Sequence, residues 1–263
     1  MSLRKPMPDL VVCFILSAAD SSWNSEFCNA FFSLFERNPG LLSQTLAVQI
    51  VSSGHRASER GRHARTFAAS FLQDKLFEDI ASIYVFEDHS LGRCLNDAFL
   101  WAIASDGAAH WLVWDDAHAC TRPFLRSARN VMDGHTRWPL SQLMLEGAWV
   151  ADLPPHRKVE DDGFRYVLPC SKDSADFIDH ASAETWPGFV LSPAWHRLAF
   201  LRRAVQDGYV SLKPFPEGSF ETWDTLQRVF GKMWQDAGAV NGELLPSPCV
   251  YVDACSTECT SPV

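Results

Sequence analysis

Apolar and polar positions divide the first 116 residues into alternating blocks of two lengths. Residues 10–17, an apolar run rich in Val and Ile that is unbroken up to Ser17 and too short for a core helix, predict a fully buried strand. Residues 21–37 then place Phe27, Phe31, Phe32, Leu34 and Phe35 at helical spacing, and Asn38-Pro39-Gly40 stops that helix. Residues 46–51 predict a second strand. A polar, basic stretch over 52–65 reads as a loop leading into a helix over 67–76. Residues 80–86 predict a third strand. Residues 91–105 predict an amphipathic helix ending at Asp106-Gly107. A fourth strand over 111–114 runs straight into Asp115 and Asp116. The order β-α-β-α-β-α-β predicts an α/β fold, a mostly parallel central sheet with helices on both faces. Ligands of such sheets bind at the carboxyl ends of the strands. The polar residues there are Ser17 and Asp20, Ser53, Glu87 and Asp88, then Asp115 and Asp116.

The second half is less regular. Trp138-Pro139 and Leu153-Pro154-Pro155 are breaks, and 158–163 reads as a charged turn. Pro187-Gly188 and Pro193 bracket a short strand over 189–192, followed by a helix over 194–205. Trp223, Leu226, Val229, Phe230, Met233 and Trp234 mark another helix within 219–237. Residues 250–252 predict a last strand, and residues 255–263 a loose tail.

Composition narrows the class. The formal net charge of −9 repels phosphate backbones, which argues against bulk binding to nucleic acid or anionic membranes. No apolar run of about 18 residues predicts a membrane span, and the run at 10–16 reads as a core strand rather than a leader. Of eight cysteines, none in a CxxC pair, the first five read as reduced core thiols and the C-terminal three as tail cysteines, which points to a reducing, cytoplasmic compartment. Cys249, Cys255 and Cys259 do not have the spacing of common zinc sites. There is no GxxxxGK[ST], GxGxxG, HExxH or GxSxG, which argues against a P-loop enzyme, a dinucleotide oxidoreductase, a zincin and an α/β-hydrolase. The basic stretch from His55 to Arg65 holds four Arg and two His near the ligand edge; it is either a solvated loop or a site for a diphosphate or anionic acceptor.

The central chemical feature is the pair Asp115-Asp116 with His118 two residues on. Adjacent carboxylates at a strand end suit Mg²⁺ or Mn²⁺, hard ions that bridge carboxylates to substrate phosphates. The same pair could instead simply start a turn or cap a helix.

Gly92, Arg93, Asn96 and Ala98 at a helix start, then an apolar strand, then Asp115, together resemble the inverting GT-A glycosyltransferases, especially the family-2-like enzymes. The resemblance covers the first half in order and spacing. It implies a GT-A fold, with residues 1–120 as the nucleotide-sugar-binding half and 121–254 as the acceptor half of one domain. It also implies a nucleotide-sugar donor, a UDP-sugar first among them, and a glycan, lipid-linked or other hydroxyl acceptor. Ser17, Asp20, Ser53, Glu87 and Asp88 would line the nucleotide pocket, with Arg93 and Asn96 near the donor. Asp115, Asp116 and His118 would hold the Mn²⁺ or Mg²⁺, and Asp253 stands where such enzymes carry a late metal-ligating His. The third position of the family's DxD motif is Ala117 here. The segment Trp186 to Pro193 is similar to an acceptor-side segment. The segment Gly218 to Arg228 is similar to the helix start that carries the base, with Glu221 at the first acidic position, Thr222 at the second, and Asp224 beyond. Glu221 or Asp224 would then deprotonate the acceptor hydroxyl, although acidic residues also favour a helix N-terminus without any catalysis. Two other readings remain: a catalytically degenerate GT-A-like binding protein, and a nucleotidyltransferase, which lacks its Gly-rich loop here.

Overall fold

The computed structural model describes residues 8–16, 25–43, 45–52, 66, 69, 82–87, 91–134, 139–146, 156–169, 191–208 and 237–251. In chain order the strands are β1 (Leu10–Leu16), β2 (Leu46–Ser52), β3 (Ser82–Glu87), β4 (His110–Asp115), β5 (His118–Cys120), β6 (Gln142–Met144), β7 (His156–Asp161), β8 (Phe164–Pro169), β9 (Ala194–Arg197), β10 (Asn241–Leu244) and β11 (Cys249–Tyr251). The helices are α1 (Ser25–Arg37), α2 (Leu91–Ala104), α3 (Leu125–Asp133) and α4 (Leu198–Gln206).

A nine-stranded sheet runs β3-β2-β1-β4-β9-β6-β10-β8-β7, and β5 pairs with β11 in a separate two-stranded ribbon. The first four strands are parallel to one another. Following the pairings outward, only β9 and β8 run against the rest. The expected mostly parallel α/β sheet is therefore observed.

The unbroken apolar runs follow from cover on both faces. Every residue of β1 is buried. Val12 and Phe14 pack with Phe31, Leu34 and Phe35 of α1 and with Ala128, Val131 and Met132 of α3. Val11, Cys13 and Ile15 pack on the other face with Leu95, Ala98 and Phe99 of α2 and Leu198 and Leu201 of α4. Each such side chain contributes about 1.5–3 kcal/mol by leaving water, so a polar residue on β1 faces an apolar layer whichever way it points.

One buried polar side chain in the sheet is fully bonded. Gln49, fully buried in β2, donates from Nε2 to the Ala98 carbonyl at 2.8 Å and accepts from Trp111 Nε1 at 2.9 Å. It ties α2 to the sheet.

Three expectations from the second half are corrected. Residues 158–161 belong to strand β7, and the turn is Asp162-Gly163 alone, with Gly163 at φ 75°. Strand β7 is an edge strand among the described ones, where the exposed Glu160 is compatible with pairing and discourages further strands. Residues 194–197 are strand β9 rather than the first turn of a helix, because Trp195 pairs in register with Leu112 on one side and Leu143 on the other. Residues 191–193 are a bend, not a strand, and 189–190 lie outside the described residues. The helices expected over 67–76 and 219–237 lie outside them too, apart from Ala69 and Ala237. No helix among the described residues is long and apolar enough to cross a membrane.

Candidate functional site

Chain order fixes where a crevice can form. From β1 the chain steps outward to β2 and β3, then returns to place β4 on the other side of β1. The strand order therefore reverses between β1 and β4, and the carboxyl end of such a switch point is the usual ligand site of a doubly wound sheet. Asp115 is the last residue of β4, in register with Ile15 of β1. Just beyond, the Asp116 amide donates to the Ile15 carbonyl at 3.2 Å.

The Asp115 carboxylate shapes the turn that follows. Its Oδ1 accepts from the Ala117 amide at 2.9 Å, an Asx turn that reverses the chain into β5. The same Oδ1 meets His118 Nδ1 at 2.6 Å. The other ring nitrogen, Nε2, faces Glu146 Oε2 at 3.1 Å, close enough for an ion pair although the N–H is not aimed along a hydrogen bond. Asp115, His118 and Glu146 are all buried. Burial alone would lower the His118 pKa, but the contacts and charges of the two carboxylates outweigh it and hold the pKa at about 9. His118 is thus an imidazolium clamped between two carboxylates at neutral pH. Its ring also meets the exposed Tyr251 edge to face at 5.5 Å, and its carbonyl accepts from Trp114 Nε1 at 2.9 Å.

Glu146 is a site residue that the sequence reading misses. Its only signal is that it is a lone acidic residue directly after the short apolar run Leu143-Met144-Leu145. That repeats, over a shorter strand, the pattern that marks Asp115.

The start of α2 reaches the same edge of the sheet. Cys94 donates from Sγ to the carbonyl of Ser52, the last residue of β2, at 3.4 Å. Asn96 is buried in α2 and Arg93 lies in its first turn, partly exposed. Glu87 closes β3 in register with Ser52. The structure thus brings Arg93, Asn96 and Glu87 to the strand edge that carries Asp115, Asp116 and His118. Ser17, Asp20, Ser53, Asp88, Glu221, Asp224 and Asp253 lie outside the described residues.

The donor set can be tested against a divalent cation. Among the described residues no group of three His, Cys, Asp or Glu is disposed to hold a metal ion. Both nitrogens of His118 face carboxylates, and Asp115 Oδ1 already takes two contacts. A cage made of these side chains alone does not fit. Carboxylates that share an ion with a bound diphosphate fit better, since Mg²⁺ often takes only one or two carboxylates and fills its shell with phosphate and water.

No family model and no curated protein sequence matches the chain. Solved structures do. The chain is similar to a crystal structure of S. aureus TarS 1-349, with a TM-score of 0.51 and 12% identity over 92% of this chain and 60% of that one. It is similar to a crystal structure of S. aureus TarS with a TM-score of 0.50 and 13% identity, covering 92% of this chain and 36% of that chain. A structure of TarS 1-349 in complex with UDP-GlcNAc matches at 0.48 and 14% identity, covering 89% of this chain and 55% of that chain. This chain thus spans less than two thirds of each of these structures. The likeness shows the fold, which is glycosyltransferase-like.

Proposed function

We propose that this chain is a glycosyltransferase that takes a sugar from a nucleotide-sugar donor, a UDP-sugar by the sequence resemblance, and passes it with inversion to a hydroxyl of a glycan, lipid-linked or other acceptor. One observation carries the reading. Asp115 ends β4 at the topological switch point, in a chain whose fold is similar to that of TarS, and the sequence resemblance matches it to the first Asp of a DxD motif. In this reading, charge on a leaving nucleoside diphosphate develops beside Asp115 and Asp116, and Arg93 at the start of α2 is a further cation for the phosphates. A bound Mn²⁺ or Mg²⁺, held by Asp115 and Asp116 together with the diphosphate and completed by Asp253, would act there as a Lewis acid.

Within this reading His118 clamps Asp115 rather than ligating an ion. It fixes the carboxylate orientation, as an outer partner of a ligand does. Arg93 offers a planar fork suited to phosphate. By the resemblance, Ser17, Asp20, Ser53, Glu87 and Asp88 would line the nucleotide pocket with Asn96 near the donor, and Glu221 or Asp224 would remove the acceptor proton as its oxygen attacks the anomeric carbon.

The test is calorimetric titration of the protein with UDP and a panel of UDP-sugars, with and without Mn²⁺, followed by measurement of UDP release with acceptor. Wild type binds, and Asp115→Asn weakens binding at least tenfold, about 1.4 kcal/mol, with an unchanged circular dichroism spectrum. Absence of binding to UDP and to every UDP-sugar sinks the proposal.

A second reading, a binding protein without turnover, is favoured by Ala117 at the third motif position and by the engagement of Asp115 Oδ1 in its own turn. Tight donor binding with no UDP release selects it.

A further inference from the structure

Cys120 and Cys249 face each other across the β5–β11 ribbon. The Thr121 amide donates to the Pro248 carbonyl at 2.9 Å. That bond flanks the cysteine pair instead of joining it, so the two occupy a non-hydrogen-bonded position of an antiparallel ladder. At such positions the Cα atoms approach to about 4.5 Å and the side chains lie closest. A disulfide needs a Cα separation of roughly 4.4–6.8 Å, so the backbone already meets the requirement.

Both residues are buried free thiols. Cys120 Sγ points to the Arg122 carbonyl at 3.2 Å, and Cys249 Sγ to the Leu145 carbonyl at 3.1 Å. Burial raises the pKa of each above the ordinary thiol value. A protonated, buried thiol is a poor nucleophile. The closed ribbon therefore keeps the pair reduced, and reaction awaits an opening. The opening strand is β11: it is three residues long, pairs only with β5 among the described strands, and has Val250 and Tyr251 exposed.

We propose that Cys120 and Cys249 are an oxidation site, in which a cross-strand disulfide staples β11 onto β5 after the ribbon opens to a small disulfide oxidant such as oxidised glutathione. One cysteine thiolate attacks the oxidant, breaking its S–S bond and releasing one glutathione thiolate. The second cysteine thiolate then attacks the mixed disulfide and releases the other glutathione. Two electrons pass to the oxidant, and the two cysteine protons are released to solvent or to the departing thiolates. The ribbon register also pairs His118 with Tyr251, so the staple holds the Tyr251 ring against the His118 clamp. The proposal rests on strand register and stands apart from the transferase reading.

The test incubates the full chain with oxidised glutathione, then maps its peptides without reduction and records thermal unfolding. The expected result is a Cys120–Cys249 peptide lacking two hydrogens, formed faster when low denaturant loosens the ribbon. The unfolding midpoint rises by several degrees, and dithiothreitol reverses both changes. Cys249→Ser removes the shift; the wild-type peptide map decides the matter even if that variant folds poorly. Failure to form this link while other thiols of the chain become modified, a predominance of other cysteine pairings, or a lowered midpoint in the linked protein each overturns the proposal.

Discussion

Replacing His118 by Gln tests the carboxylate clamp quantitatively. In the folded chain the His118 pKa is raised from 6.5 to about 9. A pKa difference of one between folded and unfolded chain corresponds to about 1.4 kcal/mol, so the clamp contributes about 3 kcal/mol when His118 is charged in both states. The sign follows from proton counts. Between about pH 6.5 and 9 the folded chain holds the His118 proton and the unfolded chain does not. Stability therefore falls with rising pH, by about 1.4 kcal/mol for each step of one in pH. The contribution is complete below pH 6.5 and gone above about pH 9–10. The Gln variant is neutral at all pH values and leaves Asp115 and Glu146 buried without a cation between them, a situation that typically costs about 3–5 kcal/mol. Urea unfolding followed by tryptophan fluorescence from pH 6 to 10.5 measures both chains. Wild type exceeds His118→Gln by about 3 kcal/mol at pH 6–7, and the gap closes toward pH 10. Buried thiols add a decline of their own above about pH 9, because Cys13 and Cys249 are also shifted upward, but that decline is common to both chains and cancels in the difference. Parallel curves with a constant gap across pH 6.5–10 would falsify the clamp.

Acid acts on different residues. Burial lowers the pKa of His196 to about 3, and burial lowers that of His110 to about 4 despite the nearby Asp133. Both contributions are present above pH 6.5 and are lost as pH falls toward the folded values, so stability declines below pH 6; His196→Gln, which can keep the contact to Gln142, flattens that decline in urea titrations. Asn38 joins α1 to α3: its Oδ1 accepts from the amides of Phe124 and Leu125 at 2.7 and 3.0 Å and so caps a helix that has no cap of its own. Asn38→Ala leaves those donors buried and lowers stability by about 2 kcal/mol, read by chemical denaturation; a loss under about 0.5 kcal/mol refutes the capping role.

The amino-acid sequence alone determined the parallel half of this protein. An unbroken run such as residues 10–16 can be buried only between two helical layers, and helices α1 and α2 sit between such runs, so the alternation of β1 to β4 with helices and their parallel pairing follow from local pattern, whereas the return that sets β4 beside β1 is tertiary. With them came the carboxyl edge, and with the edge Asp115 and Asp116; Arg93 and Asn96 came from the family resemblance. Strands β6, β9 and β10 were not legible, because three or four residues give no period to count and Ala194–Arg197 reads equally well as the start of the helix behind it. Their identity is decided by neighbours: Trp195 is a strand residue because Leu112 and Leu143 stand on either side of it. Glu146 belongs to the same class. The apolar run before it is too short to announce a strand end, and only the antiparallel insertion of β9 between β4 and β6 brings it to His118. The pairing of Cys120 with Cys249 likewise exists only in the ribbon. Local periodicity thus placed the first Asp of the site, and tertiary pairing between segments far apart in the chain decided what surrounds it.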